Sequence, residues 1–203
     1  MADYVHSLWL KFGFHVIRGI PRHAIAAKCP VAKSDATADQ VADMNNPCGW
    51  LDHMVGLKMN LPGAQAYLNS LMDLYASWGV DFIKVDDIST PYQRAEIEGY
   101  RRAIDQCGRH IVLSLSPGAT SISVAEHVSH HANMWRLLGD LWDQWSQVRS
   151  AFDILHQWES WIGNGHWPDL DMLPLGRLRV NGPPTGPADT NRLTHAEQRT
   201  LMT

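Results

Sequence analysis

Apolar positions along the chain fall into short dense runs separated by longer stretches of helical spacing. Residues 11–16, 81–86 and 110–115 are short segments rich in aliphatic, aromatic and β-branched side chains, and each reads as a strand. Residues 133–136 make a weaker fourth run and 166–173 a fifth. Several of these runs are apolar on both faces, as in a parallel sheet covered by helices. Between them, Tyr67, Leu68, Leu71, Met72, Leu74, Tyr75 and Trp78 mark a helix over 63–78 that Gly79 stops. Ile97, Tyr100 and Ile104 mark one over 91–107, with Pro91 in the first turn and Gly108 past the end. A shorter helix over 121–131 and one over 146–162, carrying Val148, Phe152, Leu155, Trp158 and Ile162, complete the series. One strand, a loop and then alternating helices and strands predict an α/β protein built on a parallel sheet. Residues 17–61 and 174–192, rich in Pro, Gly and small polar residues, read as long irregular stretches of the kind that build sites.

Composition narrows the function classes. The 203 residues are long enough to bury a sizeable core. Seventeen basic against 21 acidic residues leave a net charge of −4, which gives no broad basic footprint for nucleic acid or an anionic membrane. No run of about 18 apolar residues is present to span a bilayer, and the start MADYVHSLWLKFG shows no signal-peptide pattern. Cys29, Cys48 and Cys107 read as free or partly buried thiols, with a Cys29–Cys48 bridge, and hence an oxidising compartment, as the alternative. Nine tryptophans are many for this length; Trp is a core residue first, but its face also stacks on sugar rings.

The chemistry gathers at the strand ends. His15 and Arg18 follow the first strand; Lys84, Asp86 and Asp87 end the second; Ser114 and Ser116 end the third. Arg136 and Asp140 follow the fourth, and Asp169 and Asp171 the fifth. In a parallel α/β fold these carboxyl ends share one face, and that face carries the active site. Carboxylates from different strands suit glycoside hydrolysis, one attacking and the other handling the leaving-group proton. Alternation puts Lys84 and Asp86 on one side of their strand with Val85 toward the helices, so Lys84 is expected to keep Asp86 ionised. The competing reading of Asp86–Asp87 is a helix N-cap pair, and that of Asp140 a solvated loop acid.

These residues also carry a family resemblance. Ile83-Lys84-Val85-Asp86 resembles the Lys-aromatic-Asp nucleophile motif of the α-galactosidase and α-N-acetylgalactosaminidase family, glycoside hydrolase family 27. Trp135-Arg136-Leu137-Leu138-Gly139-Asp140 is similar to its Trp-Arg-x-x-x-Asp acid/base motif, and residues 165–176 to its Gly-x-Trp-Asn-Asp-Pro-Asp-Met-Leu segment. Leu10-Lys11-Phe12-Gly13-Phe14-His15 resembles its third strand, and residues 194–199 the start of its last barrel helix. The resemblance implies a retaining (β/α)8 barrel acting on terminal α-linked galactosyl or related residues, with no cofactor and no metal. It makes Asp86 the nucleophile and Asp140 the acid/base. Lys84, Arg136, Asp171 and Met172 would line the sugar site, with His15, Ser116 and Trp167 beside them.

The departures from the pattern are equally definite. The match begins at the third strand and ends after the seventh, so residues 1–203 are expected to form one partial catalytic barrel, without a second domain and incomplete as given. Uncovered barrel edges then predict self-association. The third-strand Tyr is His15, and the Cys-Glu-Trp segment after the fifth strand is Ser116-Pro117-Gly118. Two alternatives accompany this reading: a non-catalytic or degenerate carbohydrate-binding barrel piece, and a metal-dependent hydrolase built on His15, His166, Asp169 and Asp171. His127, His130 and His131 read as solvated helix histidines rather than metal ligands.

Overall fold

The computed structural model describes residues 1–176, 178 and 191–202. After helix α1 (Ala2–Ser7), the chain enters strand β1 (Gly13–Ile17). An excursion follows: β2 (Ile20–Pro21), α2 (Arg22–Ala26), α3 (Ala38–Val41), β3 (Ala42–Pro47) and β4 (Met54–Leu57). From there helices and strands alternate: α4 (Pro62–Ser77), β5 (Phe82–Asp86), α5 (Arg94–Gln106), β6 (Val112–Leu115), α6 (Ala125–His131), β7 (Met134–Arg136), α7 (Trp145–His156) and β8 (Trp167–Asp169), with α8 (His195–Met202) last.

The five strands anticipated from the sequence form one sheet in the order β1-β5-β6-β7-β8, and every neighbouring pair is parallel. A helix connects each consecutive pair from β5 onward, as parallel pairing demands. The two faces differ. Ile83, Val85, Leu113, Leu115 and Trp135 are wholly buried and pack into the core with Leu68, Met72, Ile97, Tyr100, Ala103 and Val128 from the helices. The opposite face carries His15, Lys84, Met134 and Trp167 in one register layer, with Trp167 exposed. The expectation of apolar cover on both faces is therefore corrected. Helices cover one face, and the other is the mixed inner lining of a barrel wall. The fold is an α/β arc of a (β/α)8 barrel.

Local chemistry explains the element ends. Pro62 begins α4, where its missing N–H costs nothing. Helix α5 starts at Arg94 rather than Pro91, because Gln93 N–H donates to Ile88 O and closes a turn over 88–93. Thr194 and Glu197 cap α8 reciprocally, the Thr194 N–H donating to the Glu197 carboxylate at 2.7 Å and the Glu197 N–H to Thr194 Oγ1 at 3.2 Å. The helix expected over 146–162 ends at His156 and continues as a single 3₁₀ turn, Glu159–Trp161. Trp158 there stands 5.7 Å from Trp135, centroid to centroid, and both are buried. Each such side chain contributes roughly 1.5–3 kcal/mol of burial.

The largest correction concerns residues 17–61. They are not irregular: β2, β4 and β3 pair antiparallel into a second sheet in the order β2-β4-β3. Its strands are short and carry Pro21, Asn45, Asn46 and Pro47, so no period-2 signal rises above the loop composition. Of the second stretch, residues 177 and 179–190 lie outside the described residues. All three cysteines are free thiols, Cys48 buried and Cys29 exposed, which excludes the bridge alternative in this structure. Among the described residues no helix is long and apolar enough to cross a membrane.

Candidate active site

The carboxyl ends of the parallel strands gather the anticipated side chains. Asp86 is the last residue of β5 and is paired across the sheet with Ile17 of β1. Its Oδ2 lies 3.2 Å from His15 Nε2, and its Oδ1 accepts the Asp87 N–H at 3.1 Å. Lys84, one layer deeper, reaches Asp171 Oδ1 at 3.6 Å, so the partner of this lysine is Asp171 and not Asp86 as the motif suggests. Arg136 ends β7 and is buried. Its Nη2 reaches Asp140 Oδ1 and Asp171 Oδ2, both at 3.2 Å, and donates to Leu138 O at 3.0 Å, while Nη1 approaches Ser116 Oγ at 3.4 Å.

Asp171 and Asp140 differ sharply in setting. The Asp171 side chain is 5% exposed and held between two cations, whereas that of Asp140 is 62% exposed at the mouth. Asp171 sits at φ +75°, and its N–H donates to Asp169 Oδ1 at 2.8 Å. Asp87 sits at φ +60°. Left-handed backbone at non-glycine residues is uncommon, and such strain collects at functional sites. Met172 and Trp167 lie on the same segment as Asp171, Met172 half-buried and Trp167 exposed. The sequence-anticipated residues thus fall into two contact sets at one sheet end, His15 with Asp86, and Lys84, Asp171, Arg136, Asp140 and Ser116 with one another. The proposed metal-hydrolase set is not brought together: His166 stacks beside Trp135 on the helix-facing side.

A buried polar network behind Asp86 escaped the sequence reading. Arg18, 1% exposed, donates from Nε to Asp87 O at 2.5 Å and lies 2.9 Å from the Asp87 carboxylate. Its Nη1 donates to Glu96 Oε1 at 2.8 Å, and its Nη2 to Asn46 Oδ1 at 2.9 Å. Asn46, from the antiparallel excursion, also donates to Gln93 at 2.9 Å. Burial pushes the Glu96 carboxyl up to about 7 despite Arg18, and raises Asp87 as well, with Arg18 opposing. Asp87 is therefore no helix cap; it anchors the turn that follows Asp86. The signal for Glu96 was its place on the same helical face as Tyr100 and Ala103, a core-facing position for a charge.

Comparison with known proteins agrees with this geometry. The family model described as Alpha galactosidase A matches residues 50–182. The chain is 31% identical over 194 residues to the alpha-N-acetylgalactosaminidase of Rattus norvegicus, covering 89% of this chain and 38% of that protein. It is 28% identical over 179 residues to an alpha-galactosidase of Oryza sativa subsp. japonica, covering 87% of this chain and 34% of that protein. Among solved structures, a family 27 β-L-arabinopyranosidase from Geobacillus stearothermophilus superposes with a TM-score of 0.93 at 47% identity, over 100% of this chain and 48% of that one. The chain thus spans little more than a third of these curated relatives and about half of the solved structure. With the family model covering well over half of its residues, the chain belongs to the alpha galactosidase A family, within glycoside hydrolase family 27.

Proposed function

We propose that the chain carries the catalytic face of a retaining glycoside hydrolase for terminal pyranosyl groups of galactose configuration. The observation behind this reading is the gathering at one sheet end of the Asp86–His15 pair, on the neighbouring strands β5 and β1, and the contact chain from Lys84 through Asp171 to Arg136 and Asp140. In it, Asp86 attacks the anomeric carbon; Asp140 protonates the departing oxygen and then takes a proton from the incoming water. The exposure of Asp140 suits a group that must meet varied leaving groups at the mouth. Asp171, pinned by Lys84 and Arg136, offers fixed acceptors to sugar hydroxyls, and the exposed face of Trp167 offers a stacking plane. Ser116 and Met172 complete the lining. Residues 1–203 supply one piece of the catalytic barrel, and its inner face, with Val112 and Trp167 exposed, supports self-association.

The substrate follows from chemistry shared among the relatives. A β-L-arabinopyranosyl ring is an α-D-galactopyranosyl ring without the exocyclic hydroxymethyl group, so one set of ring-hydroxyl contacts serves both. The 47% identity to a β-L-arabinopyranosidase favours the smaller sugar. The test compares kcat/KM on p-nitrophenyl β-L-arabinopyranoside and p-nitrophenyl α-galactoside. Hydrolysis is expected to retain the anomeric configuration by NMR, and Asp86→Asn to abolish it while sugar binding persists. Inversion, or turnover surviving in Asp86→Asn, would overturn the mechanism. Sugar binding without any turnover in the wild type would favour the non-catalytic alternative.

A further inference from the structure

The histidines expected in solvent are not all there. His127 is 8% exposed, in the seam between α5 and α6. His131 lies one turn further along α6, and the two rings stack with centroids 4.1 Å apart. Glu98 of α5 faces them, its Oε1 3.1 Å from His127 Nε2. One ligand atom from each of Glu98, His127 and His131 can be chosen so that all lie within 4.8 Å of one another. We propose that these three residues form a binding site for a zinc-type divalent transition metal that ties α5 to α6. Nothing in the sugar chemistry uses it.

The donor set is the first argument. Two imidazoles and a carboxylate are borderline ligands suited to Zn²⁺ and its neighbours in the first transition row, and three protein donors leave a fourth position for water. Spacing is the second. Residues i and i+4 project from one helix face, so both rings can turn toward one ion. Bonds of about 2.0–2.1 Å at tetrahedral angles place donor atoms about 3.3 Å apart, so the donors need close by only about 1.5 Å. An open cleft of about 420 Å³, lined by His127, His130, His131, Arg94, Ser123 and Glu126, gives the ion an entry path.

The hydrogen bonds are the third and most specific argument. His131 Nδ1 stands 2.7 Å from His127 O, an acceptor only, so its proton is on Nδ1 and the Nε2 lone pair is free. His127 Nδ1 lies 2.5 Å from Tyr92 Oη. With a metal on Nε2, the Nδ1–H donates to the tyrosine oxygen. Without one, the tyrosine donates to Nδ1 and Nε2–H turns to Glu98. Both ligand rings therefore carry the outer hydrogen bond that orients metal-binding histidines. Two cations border the site: Arg102 Nη1, 3.6 Å from Glu98 Oε2, and Arg94, 6.0 Å above the Tyr92 ring. His130 borders the cleft but is not among the three residues whose ligand atoms come together, its Nδ1 lying 2.6 Å from Glu126 O.

The test is Zn²⁺ titration of the chelator-treated protein at pH 7.5 against a chromophoric competitor, with Co²⁺ absorption as a second readout. One equivalent is expected with a Kd below about 10 µM, with visible Co²⁺ bands of four-coordinate type and a Tm that rises with Zn²⁺. Glu98→Gln and His131→Ala should each weaken binding about 10-fold or more, whereas His130→Ala should not. Glu98→Gln keeps shape and lies at the surface, so it carries the test if a histidine variant fails to fold. Wild-type affinity weaker than about 10 µM, or Glu98→Gln binding as tightly as wild type, would overturn the proposal, since nine other histidines could supply nonspecific sites.

Discussion

Asp81, just before β5 and at the other end of that strand from Asp86, gathers the opposite end of the sheet. Its carboxylate accepts the Phe12 N–H at 2.9 Å and meets His6 Nε2 and Arg109 Nη2, each at 2.7 Å, with Lys11 at 3.9 Å. Burial alone would raise this acid, but the Phe12 N–H, His6 and Arg109 outweigh it and hold the carboxyl at about 2, against an ordinary 3.8. The folded state therefore prefers the charged form. The stabilisation is complete above the unfolded value and is lost as the pH falls toward the folded one. The difference corresponds to roughly 2.4 kcal/mol at neutral pH, of which about 1 kcal/mol disappears between pH 5 and pH 3. Asp81→Asn removes the charge and leaves Arg109 without its ion pair. Urea unfolding of wild type and variant at pH 7, 5, 4 and 3 should show the variant less stable by about 2 kcal/mol at pH 7, with the gap narrowing to about half at pH 3. Comparing the two proteins cancels other carboxylates that titrate in the same window. A gap that stays constant from pH 7 to pH 3, or widens, would refute the reasoning.

Three further outcomes are expected. Arg18→Met leaves the Asp87 and Glu96 carboxylates buried without their cation and should cost about 3–5 kcal/mol in chemical unfolding; a loss under about 1 kcal/mol would show that the network is not held by charge. Asp140→Asn should slow hydrolysis of an alkyl glycoside about 100-fold more than that of a p-nitrophenyl glycoside, because only the poorer leaving group needs the proton; equal losses on both would remove Asp140 from the acid role. Gly19 has φ +82° and a Cβ there would run into the Val55 carbonyl, so Gly19→Ala should lower Tm by at least about 2 °C by forcing β2 away from β4. An unchanged Tm would show that the turn at Gly19 is not seated against β4 as described.

The parallel sheet was legible because its strands are dense in β-branched and apolar residues and its helices keep a 3.6-residue period; Phe82–Asp86 falls where the pattern put it. The site residues were legible because each directly follows a strand. What was not legible depends on partners distant in sequence. Glu96 reads as an ordinary helical acid until Arg18, 78 residues earlier, is brought beside it. The β2-β4-β3 sheet is built of strands of two to six residues, β3 largely polar, too short to show a period. Lys84 looked like the partner of Asp86 because they share a strand face, yet Asp171 turns in from β8 and takes it. His127 read as solvated because neither a metal-binding motif nor a cysteine partner accompanies it, but the α5–α6 seam covers one side of the helix.

Asp87 and Asp171 each satisfy two demands that rarely coincide. Both hold a left-handed backbone, and both place a carboxylate against a buried arginine. Among the twenty residues, Gly, Asn and Asp enter that backbone region most readily, and of these only Asp also supplies the negative charge. Glutamate keeps the charge but resists the turn; asparagine keeps the turn but takes from a buried arginine one of its two carboxylates; glycine relieves the backbone and leaves a void with a charge at its edge. Saturation mutagenesis at either position should accordingly return aspartate almost alone among folded clones. The same would not hold at Asp86, whose extended strand backbone suits many residues, so its replacement can silence the chemistry and leave the molecule otherwise intact.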